Sequence, residues 1–321
     1  MAMRPCGERN NLSREFFVTT KQIVSRLYGI LPPVVTPFNR SGDIDEGAFR
    51  ANLERYAGIG LAGVVVAGTT GEAPYLTAEE RLRLTEIART TVRPDELLIT
   101  GTGFESTRET IRVSREAVAR GADVLLVLTP AYFRSKMDKA ALVAHYRALG
   151  EALPRPMLIY SIPQCTGLRA PVDAIAALSR VPNIAGLKES SGDLAYMRSI
   201  LRHVRPGFHV FSGSARILLD ALRAGAAGGI LAQADFAPEL CISVYQAFQD
   251  KRPKLARELH AQLLPLVDHV NLPHGVAGVK VAMDLVGYRG GELRSPLQPA
   301  SAAARREIAR ALEETRSRLA A

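Results

Sequence analysis

The sequence contains few of the side chains that nucleic-acid binding needs. Its 321 residues include no tryptophan and only 6% aromatic residues, so stacking platforms for single-stranded nucleic acid are not visible. The net charge is +9, but the basic residues are interleaved with acidic ones and form no basic block. We therefore expect no nucleic-acid partner. The excess positive charge would instead raise the encounter rate with small organic anions.

Cysteine is also scarce. The three cysteines, Cys6, Cys165 and Cys241, are odd in number and far apart, which argues against a disulfide framework and favours a reducing compartment, most simply the cytoplasm. No apolar run reaches the roughly 18 residues of a membrane-spanning helix, so we expect no membrane insertion.

Signatures of metal and cofactor sites are missing as well. The six histidines do not pair at helical i, i+4 spacing and no Cys-x-x-Cys occurs, so no metal site is expected. The run from Gly101 to Gly103 lacks the third glycine of a dinucleotide fingerprint. The Gly-x-Ser-x-Gly motif of serine hydrolases is also absent, which disfavours that class of enzyme. Neither a metal nor an organic cofactor is therefore predicted.

What the sequence does contain, from Tyr28 onward, is an alternation of short β-rich runs with helical stretches. The runs are apolar almost throughout, which is typical of parallel strands buried on both faces. Eight strands are predicted, at Gly29 to Thr36, Gly63 to Ala67, Leu97 to Gly101, Val124 to Leu128, Met157 to Ser161, Ile184 to Lys188, His209 to Ser212 and Gly229 to Leu231.

Several predicted helices begin with a polar residue and an acid three positions later, the spacing of a capping box. These pairs are Asp43 with Glu46, Thr77 with Glu80 and Ser106 with Glu109. Eight strand-helix repeats with right-handed crossovers close most naturally into a (β/α)8 TIM barrel. An open doubly wound sheet is the alternative.

The repeats also suggest how the chain is divided. We predict an N-terminal arm over residues 1–27, a catalytic barrel over 28–252 and a C-terminal helical region over 253–321. The last region should contain helices near 253–267, 273–286 and 301–319 that pack on the barrel or on another subunit. For the final helix, a solvated helix is an equal alternative.

The active site of a barrel forms at the carboxyl ends of its strands, so the residues at those ends carry the chemistry. Lys188 ends the sixth predicted strand after four apolar residues, and desolvation there should lower its pKa. A neutral amine can attack a ketone, and the resulting iminium is an electron sink. A lysine exposed at a strand end is the structural alternative.

Two neighbouring features support the chemical interpretation of Lys188. Tyr160 ends the fifth strand at the matching height, where a phenol can pass protons, although a core tyrosine would look the same. The turn from Gly68 to Gly71 offers the hydroxyls of Thr69 and Thr70 and closely spaced N–H groups that suit a carboxylate. The same turn could be an ordinary loop, and Glu72 is expected to fix it by hydrogen bonds.

Three sequence motifs follow one another along the chain: Gly-Thr-Thr-Gly-Glu, Tyr-Ser-Ile-Pro-x-x-Thr-Gly and Gly-Leu-Lys-Glu-Ser-Ser-Gly-Asp. Together they resemble the dihydrodipicolinate synthase and N-acetylneuraminate lyase family over about residues 28–297. The resemblance implies a barrel homotetramer, usually a dimer of dimers, in which a lysine of the sixth strand forms a Schiff base with pyruvate.

The resemblance also implies a role for each matching residue. Lys188 would form the Schiff base and Tyr160 would transfer protons. Thr69 and Thr70, next to Gly71, would hold the pyruvate carboxylate and assist the proton relay. The resemblance further implies that Tyr132 enters the neighbouring subunit's site and that Gly213 and Ile230 line the pyruvate pocket.

Departures from the family pattern bear on the substrate. Where dihydrodipicolinate synthases present an arginine to the second substrate, this chain has Cys165, and a thiol cannot pair bidentately with a carboxylate. Ala131 replaces an aromatic residue beside Tyr132, which weakens the expected dimer contact.

The segments 104–107, 160–172 and 287–297 are most similar to 4-hydroxy-2-oxoglutarate aldolases. This similarity predicts cleavage of 4-hydroxy-2-oxoglutarate to pyruvate and glyoxylate. The alternatives are condensation of pyruvate with aspartate semialdehyde and lyase or dehydratase action on sugar acids.

Without the resemblance, two other functions fit the sequence. Glycine-rich loops after strands seven and eight, at 212–214 and 225–229, could bind the phosphate of a sugar phosphate. A keto acid sensor that has kept the pocket and lost turnover is the non-enzymatic alternative, and steady-state turnover would exclude it.

Overall fold

The computed structural model describes residues 19–320, so most of the predicted N-terminal arm lies outside the described residues. Within them the chain begins with a short helix, α1, whose N-cap Thr19 accepts a hydrogen bond from the Gln22 N–H. The eight strands are β1 (Gly29–Leu31), β2 (Gly63–Val66), β3 (Leu97–Gly101), β4 (Val124–Leu128), β5 (Met157–Ser161), β6 (Ile184–Glu189), β7 (His209–Ser212) and β8 (Gly228–Ile230).

The strands form one parallel sheet that closes on itself. From β2 to β8 each strand pairs with its neighbour in sequence, and β8 pairs with β1. Between β1 and β2, the N–H of Ala62 donates to the Ile30 carbonyl at 3.0 Å and the N–H of Val65 to the Pro32 carbonyl at 2.9 Å. The predicted (β/α)8 barrel is confirmed. The open doubly wound alternative is excluded, since that fold reverses its strand order at a switch point.

Thirteen helices accompany the strands in the described part of the chain. They are α1 (Thr20–Val24), α2 (Glu46–Tyr56), α3 (Ala78–Thr91), α4 (Thr107–Ala119), α5 (Lys139–Ala152), α6 (Pro163–Thr166), α7 (Val172–Leu178), α8 (Leu194–His203), α9 (Leu218–Arg223), α10 (Pro238–Gln249), α11 (Pro253–Leu266), α12 (Leu272–Leu285) and α13 (Ala302–Ala320). A π-helical turn at Val267–Asn271 joins α11 to α12.

Two local predictions were wrong. The first strand was expected to extend to Thr36 but ends at Leu31, because Pro32 and Pro33 have no N–H to donate to a ladder. The cap of α2 is Asp45 rather than Asp43, since the Asp45 side chain accepts the Ala48 N–H at 2.8 Å. The cap at Thr77 has both hydrogen bonds of the predicted capping box, whereas the cap at Ser106 has one of them, from the Glu109 N–H to the Ser106 hydroxyl.

The helices after the barrel have a buried face. In α13, Ile308 and Ala311 are 0% and 3% exposed, and the helix packs on α11 and α12. The solvated alternative for this helix is therefore wrong. The division of the chain at residue 253 stays a prediction. Within residues 19–320 no helix combines the length and the hydropathy that crossing a bilayer requires.

The barrel interior is filled by apolar side chains from all eight strands. Its buried cluster includes Leu31, Val65, Ile99, Leu126, Leu158, Ala185, Phe211 and Ile230. This packing closes the barrel below the strand ends, as in other (β/α)8 barrels. Side chains that lie just above it are held in a dry environment at the mouth.

Candidate active site

Lys188 and Tyr160 lie side by side at the mouth of the barrel. They are directly opposite each other in the pairing of β5 with β6, and they are 3% and 4% exposed. The Lys188 Nζ lies 4.2 Å from the centroid of the Tyr160 ring. The two residues predicted from the strand ends are thus in contact.

Burial dominates the electrostatics of Lys188. It lowers the pKa of the amine to about 7, while the nearby Asp235 and Cys165 act in the opposite direction. A lysine with such a pKa is largely neutral just above neutral pH, whereas an exposed lysine is almost wholly protonated there. A neutral amine of this kind can act as a nucleophile.

The phenol of Tyr160 is held by hydroxyl groups. Its oxygen lies 3.1 Å from Thr69 Oγ1, and the Ser190 hydroxyl lies close enough to lower the pKa of the phenol. Burial is the larger effect and raises the pKa of Tyr160 to about 12. The phenol therefore stays protonated at neutral pH and can donate a proton, with Thr69 as the next member of a relay.

The turn that carries Thr69 and Thr70 requires glycine at its end. The Glu72 N–H donates to the Thr69 carbonyl at 3.0 Å, and the Thr36 hydroxyl donates to the Gly71 carbonyl at 2.7 Å. A methyl group on Gly71 would lie 2.9 Å from the Val34 carbonyl oxygen. A larger residue at this position would therefore displace the turn.

A buried ion pair fixes the same turn from behind. Glu72 has a φ of 57°, and its Oε1 lies 2.6 Å from the Lys280 Nζ of α12, with both side chains almost fully buried. Its Oε2 accepts the Arg294 N–H at 3.0 Å. These contacts support the expected role of Glu72 in holding the loop rather than in acid-base chemistry.

Replacing Lys280 with methionine is expected to lower the free energy of unfolding by about 3 to 5 kcal/mol, because it leaves the Glu72 carboxylate buried without its cation. Denaturant unfolding measures the change. The matched control is Lys139→Met, which breaks an exposed ion pair with Asp173 of similar length, 2.7 Å, and should cost less than about 1 kcal/mol. Equal losses in the two variants would contradict the role of the buried pair.

The remaining predicted pocket residues lie around this centre. Cys165 is on α6, and its thiol is close enough to interact electrostatically with Lys188. Gly213 follows β7, and a methyl group there would lie 1.8 Å from the Ser190 Oγ, so only glycine fits. Ile230 ends β8 and is 1% exposed inside the barrel.

Tyr132 is not part of the cluster in its own chain. Its side chain is 81% exposed, and its ring contacts Phe133 edge-to-face with centroids 5.0 Å apart. The Glu105 carboxylate anchors the loop by accepting the N–H groups of Ala131 and Tyr132 at 3.0 and 2.9 Å. The loop is thus fixed while its two aromatic rings stay open to contact.

A cavity of about 240 Å³ opens beside Tyr160, between the ends of β2, β3 and β4. Thr69, Phe104, Leu128 and Pro130 are among the residues that line it. Tyr160 is itself one of the residues that line this cavity, whereas Lys188 is not. Room is thus available at the mouth for a further group beside Tyr160.

Sequence reasoning missed two residues of the site. Asp235 follows β8 and is fully buried. Burial raises the pKa of its carboxyl well above the usual range, and the positive charge of Lys188 acts in the opposite direction. Ser190 is two residues after Lys188 and 5% exposed. Ser190 could have been found by following β6 two residues past its lysine, but Asp235 lies in an apolar stretch beyond the strand end and gives no such indication.

A closed barrel with a neutral lysine and a protonated tyrosine at its mouth is the arrangement of a barrel lyase of the class I aldolase kind. Comparison with known families agrees, since a model of the dihydrodipicolinate synthetase family matches residues 26–315. The chain belongs to the dihydrodipicolinate synthetase family.

Individual relatives extend this result. The chain is 36% identical over 274 residues to the 4-hydroxy-tetrahydrodipicolinate synthase of Methanothrix thermoacetophila, which covers 85% of this chain and 92% of the relative. The dihydrodipicolinate synthase of Cyanidioschyzon merolae, solved with lysine bound, superposes with a TM-score of 0.86 at 29% identity and covers 90% of this chain and 98% of that one. YagE, a family member from E. coli K12 solved with pyruvate, gives 0.84 at 27% identity, with the same coverage. The Methanothrix and Cyanidioschyzon relatives thus carry the synthase name, which was predicted as an alternative, and not the name 4-hydroxy-2-oxoglutarate aldolase.

Proposed function

We propose that this protein is a pyruvate-dependent lyase that works through a Schiff base on Lys188. The observation that carries the proposal is the burial of the Lys188 amine at the barrel mouth against the ring of Tyr160, which lowers its pKa to about 7. Its neutral amine attacks the keto carbon of pyruvate to give a carbinolamine, which loses water to form an iminium. Loss of a methyl proton then gives an enamine that attacks an aldehyde.

The other site residues take the roles that this chemistry requires. Tyr160 protonates the carbinolamine hydroxyl as it leaves, and Thr69, 3.1 Å away, returns a proton to the phenol. The hydroxyl of Thr70 and the N–H groups up to Gly71 bind the pyruvate carboxylate. Gly213 and Ile230 close the pocket, and Cys165 lies on the side from which the aldehyde enters.

We also propose that a second copy of the chain completes the site. Tyr132 is exposed, and its loop is anchored by Glu105, so its ring is available to reach the cavity beside Tyr160 of a neighbour. This contact would extend the proton relay between subunits. The assembly we infer is a homotetramer built as a dimer of dimers.

For the aldehyde, we propose aspartate semialdehyde, which makes the reaction that of a 4-hydroxy-tetrahydrodipicolinate synthase. The name of the Methanothrix relative and its 36% identity support this choice. A second candidate is cleavage of 4-hydroxy-2-oxoglutarate to pyruvate and glyoxylate. The presence of Cys165 favours that candidate, because the α6 loop then offers no arginine of its own to a longer carboxylated aldehyde.

Two assays on the same preparation distinguish these reactions. One follows the consumption of pyruvate with aspartate semialdehyde, and the other follows the release of pyruvate from 4-hydroxy-2-oxoglutarate. We expect kcat/KM for the condensation to exceed that for the cleavage at least about 100-fold. The reverse ratio would identify the aldolase, and activity only with aldehydes derived from sugars would reject both.

A further inference from the structure

The guanidinium of Arg134 packs on the loop that follows Cys165. Arg134 begins the 3-10 turn Arg134–Lys136 after β4, and a methyl group built on Gly167 would lie 2.6 Å from its Nη1 and 3.6 Å from its Cζ. Gly167 has a φ of 64° and ends α6 two residues after Cys165. An arginine from one strand end thus reaches the loop of the next.

That loop forms one wall of the active-site mouth. The Gln164 Nε2 donates to the Ser190 carbonyl at 2.6 Å, which ties α6 to the segment that follows Lys188. The Cys165 thiol interacts electrostatically with both Lys188 and Tyr160. A group held against Gly167 is therefore at the rim of the pocket that contains the amine.

The guanidinium is free to bind an anion. Arg134 is exposed, and in residues 19–320 it forms no ion pair, whereas Arg169 on the same wall is paired with Asp193 at 2.9 Å. A guanidinium presents five N–H donors in a planar fork that matches a carboxylate. Cys165 itself offers no such group.

We propose that Arg134 binds the carboxylate of the aldehyde substrate and so sets the specificity of the second half of the reaction. The inference rests on the proposed function, and it holds for aspartate semialdehyde and for glyoxylate, since both carry a carboxylate. Arg134, in the turn after β4, supplies the positive charge that the α6 loop lacks at Cys165.

The test compares the carboxylated aldehydes aspartate semialdehyde and glyoxylate with an uncharged aldehyde, glycolaldehyde. Each aldehyde is assayed together with pyruvate. In Arg134→Ala the KM for the carboxylated aldehyde should rise about 10- to 100-fold, because a charge-assisted bidentate pair is lost. The KM for pyruvate and kcat/KM for glycolaldehyde should stay unchanged. Arg134→Lys should give an intermediate KM. An unchanged KM for the carboxylated aldehyde, or an equal fall in kcat/KM with the carboxylated and the uncharged aldehyde, would overturn the inference.

Two further variants sharpen the result. Lys136→Ala removes another cation of the same turn and should leave all constants unchanged. In the Arg134→Ala background, Cys165→Arg should restore a low KM for the carboxylated aldehyde only; no recovery counts against the inference. Borohydride trapping of pyruvate on the unmodified protein separates the two proposals. Failure of trapping rejects the Schiff base, whereas normal trapping with a KM insensitive to Arg134 rejects only this inference.

Discussion

Replacing Lys188 with alanine is expected to abolish the covalent adduct with pyruvate and to lower kcat at least about ten-thousand-fold, because the amine that forms the iminium is removed. The fold should survive, since removal of a buried amine with a pKa of about 7 relieves desolvation and breaks no ion pair of Lys188 within residues 19–320. Steady-state turnover and circular dichroism of the same samples measure the two effects.

The control for this variant is Lys139→Ala, which removes an exposed lysine of α5 and should change neither turnover nor adduct formation. A Lys188→Ala protein that retains its circular dichroism and still turns over at the normal rate would show that the chemistry does not pass through this amine. Loss of the circular dichroism would instead mean that Lys188 supports the fold.

Replacing Tyr160 with phenylalanine is expected to lower kcat about 100- to 10,000-fold while the lysine remains able to bind pyruvate. The ring that packs against Lys188 at 4.2 Å is kept, and only the phenol oxygen beside Thr69 is lost. Slow accumulation of the trapped adduct over hours, against rapid trapping in the parent protein, would show that proton transfer and not binding is impaired.

Tyr146→Phe is the matched control, because it removes another buried phenol, which donates to the Val127 carbonyl at 3.1 Å and belongs to a different buried cluster from Tyr160. It should reduce stability without a large change in kcat.

A separate experiment tests the proposed role of Tyr132 in a neighbouring subunit. Assemblies that mix Tyr160→Phe chains with Tyr132→Ala chains should regain partial activity, because some sites then receive both intact tyrosines. No recovery would mean that Tyr132 does not act across subunits.

The barrel and the centre of the site could be predicted because both follow from short-range patterns. Fully apolar runs predict buried parallel strands, and in such strands the last residue faces the mouth. Lys188 and Tyr160 are the penultimate residues of the adjacent strands β6 and β5, so their contact follows once the register is known. The main error in the strands, at Pro32, came from weighing hydropathy above the missing N–H of proline.

The contacts that hold the site in place, and those at its rim, could not be predicted in the same way. Glu72 meets Lys280 only because α12 folds back onto the barrel, and Arg134 reaches Gly167 through the conformation of two loops. Such contacts depend on tertiary packing and leave no periodic pattern in the sequence. For the same reason the preference for 4-hydroxy-2-oxoglutarate, drawn from Cys165 and neighbouring strings, did not take Arg134 into account.

The most direct test of the account is reduction with borohydride in the presence of pyruvate, followed by peptide mapping at a series of pH values. We expect a single labelled residue, Lys188, with a rate of labelling that rises as the pH passes through about 7 and the amine loses its proton. Label on a different lysine, or no label at any pH, would contradict it.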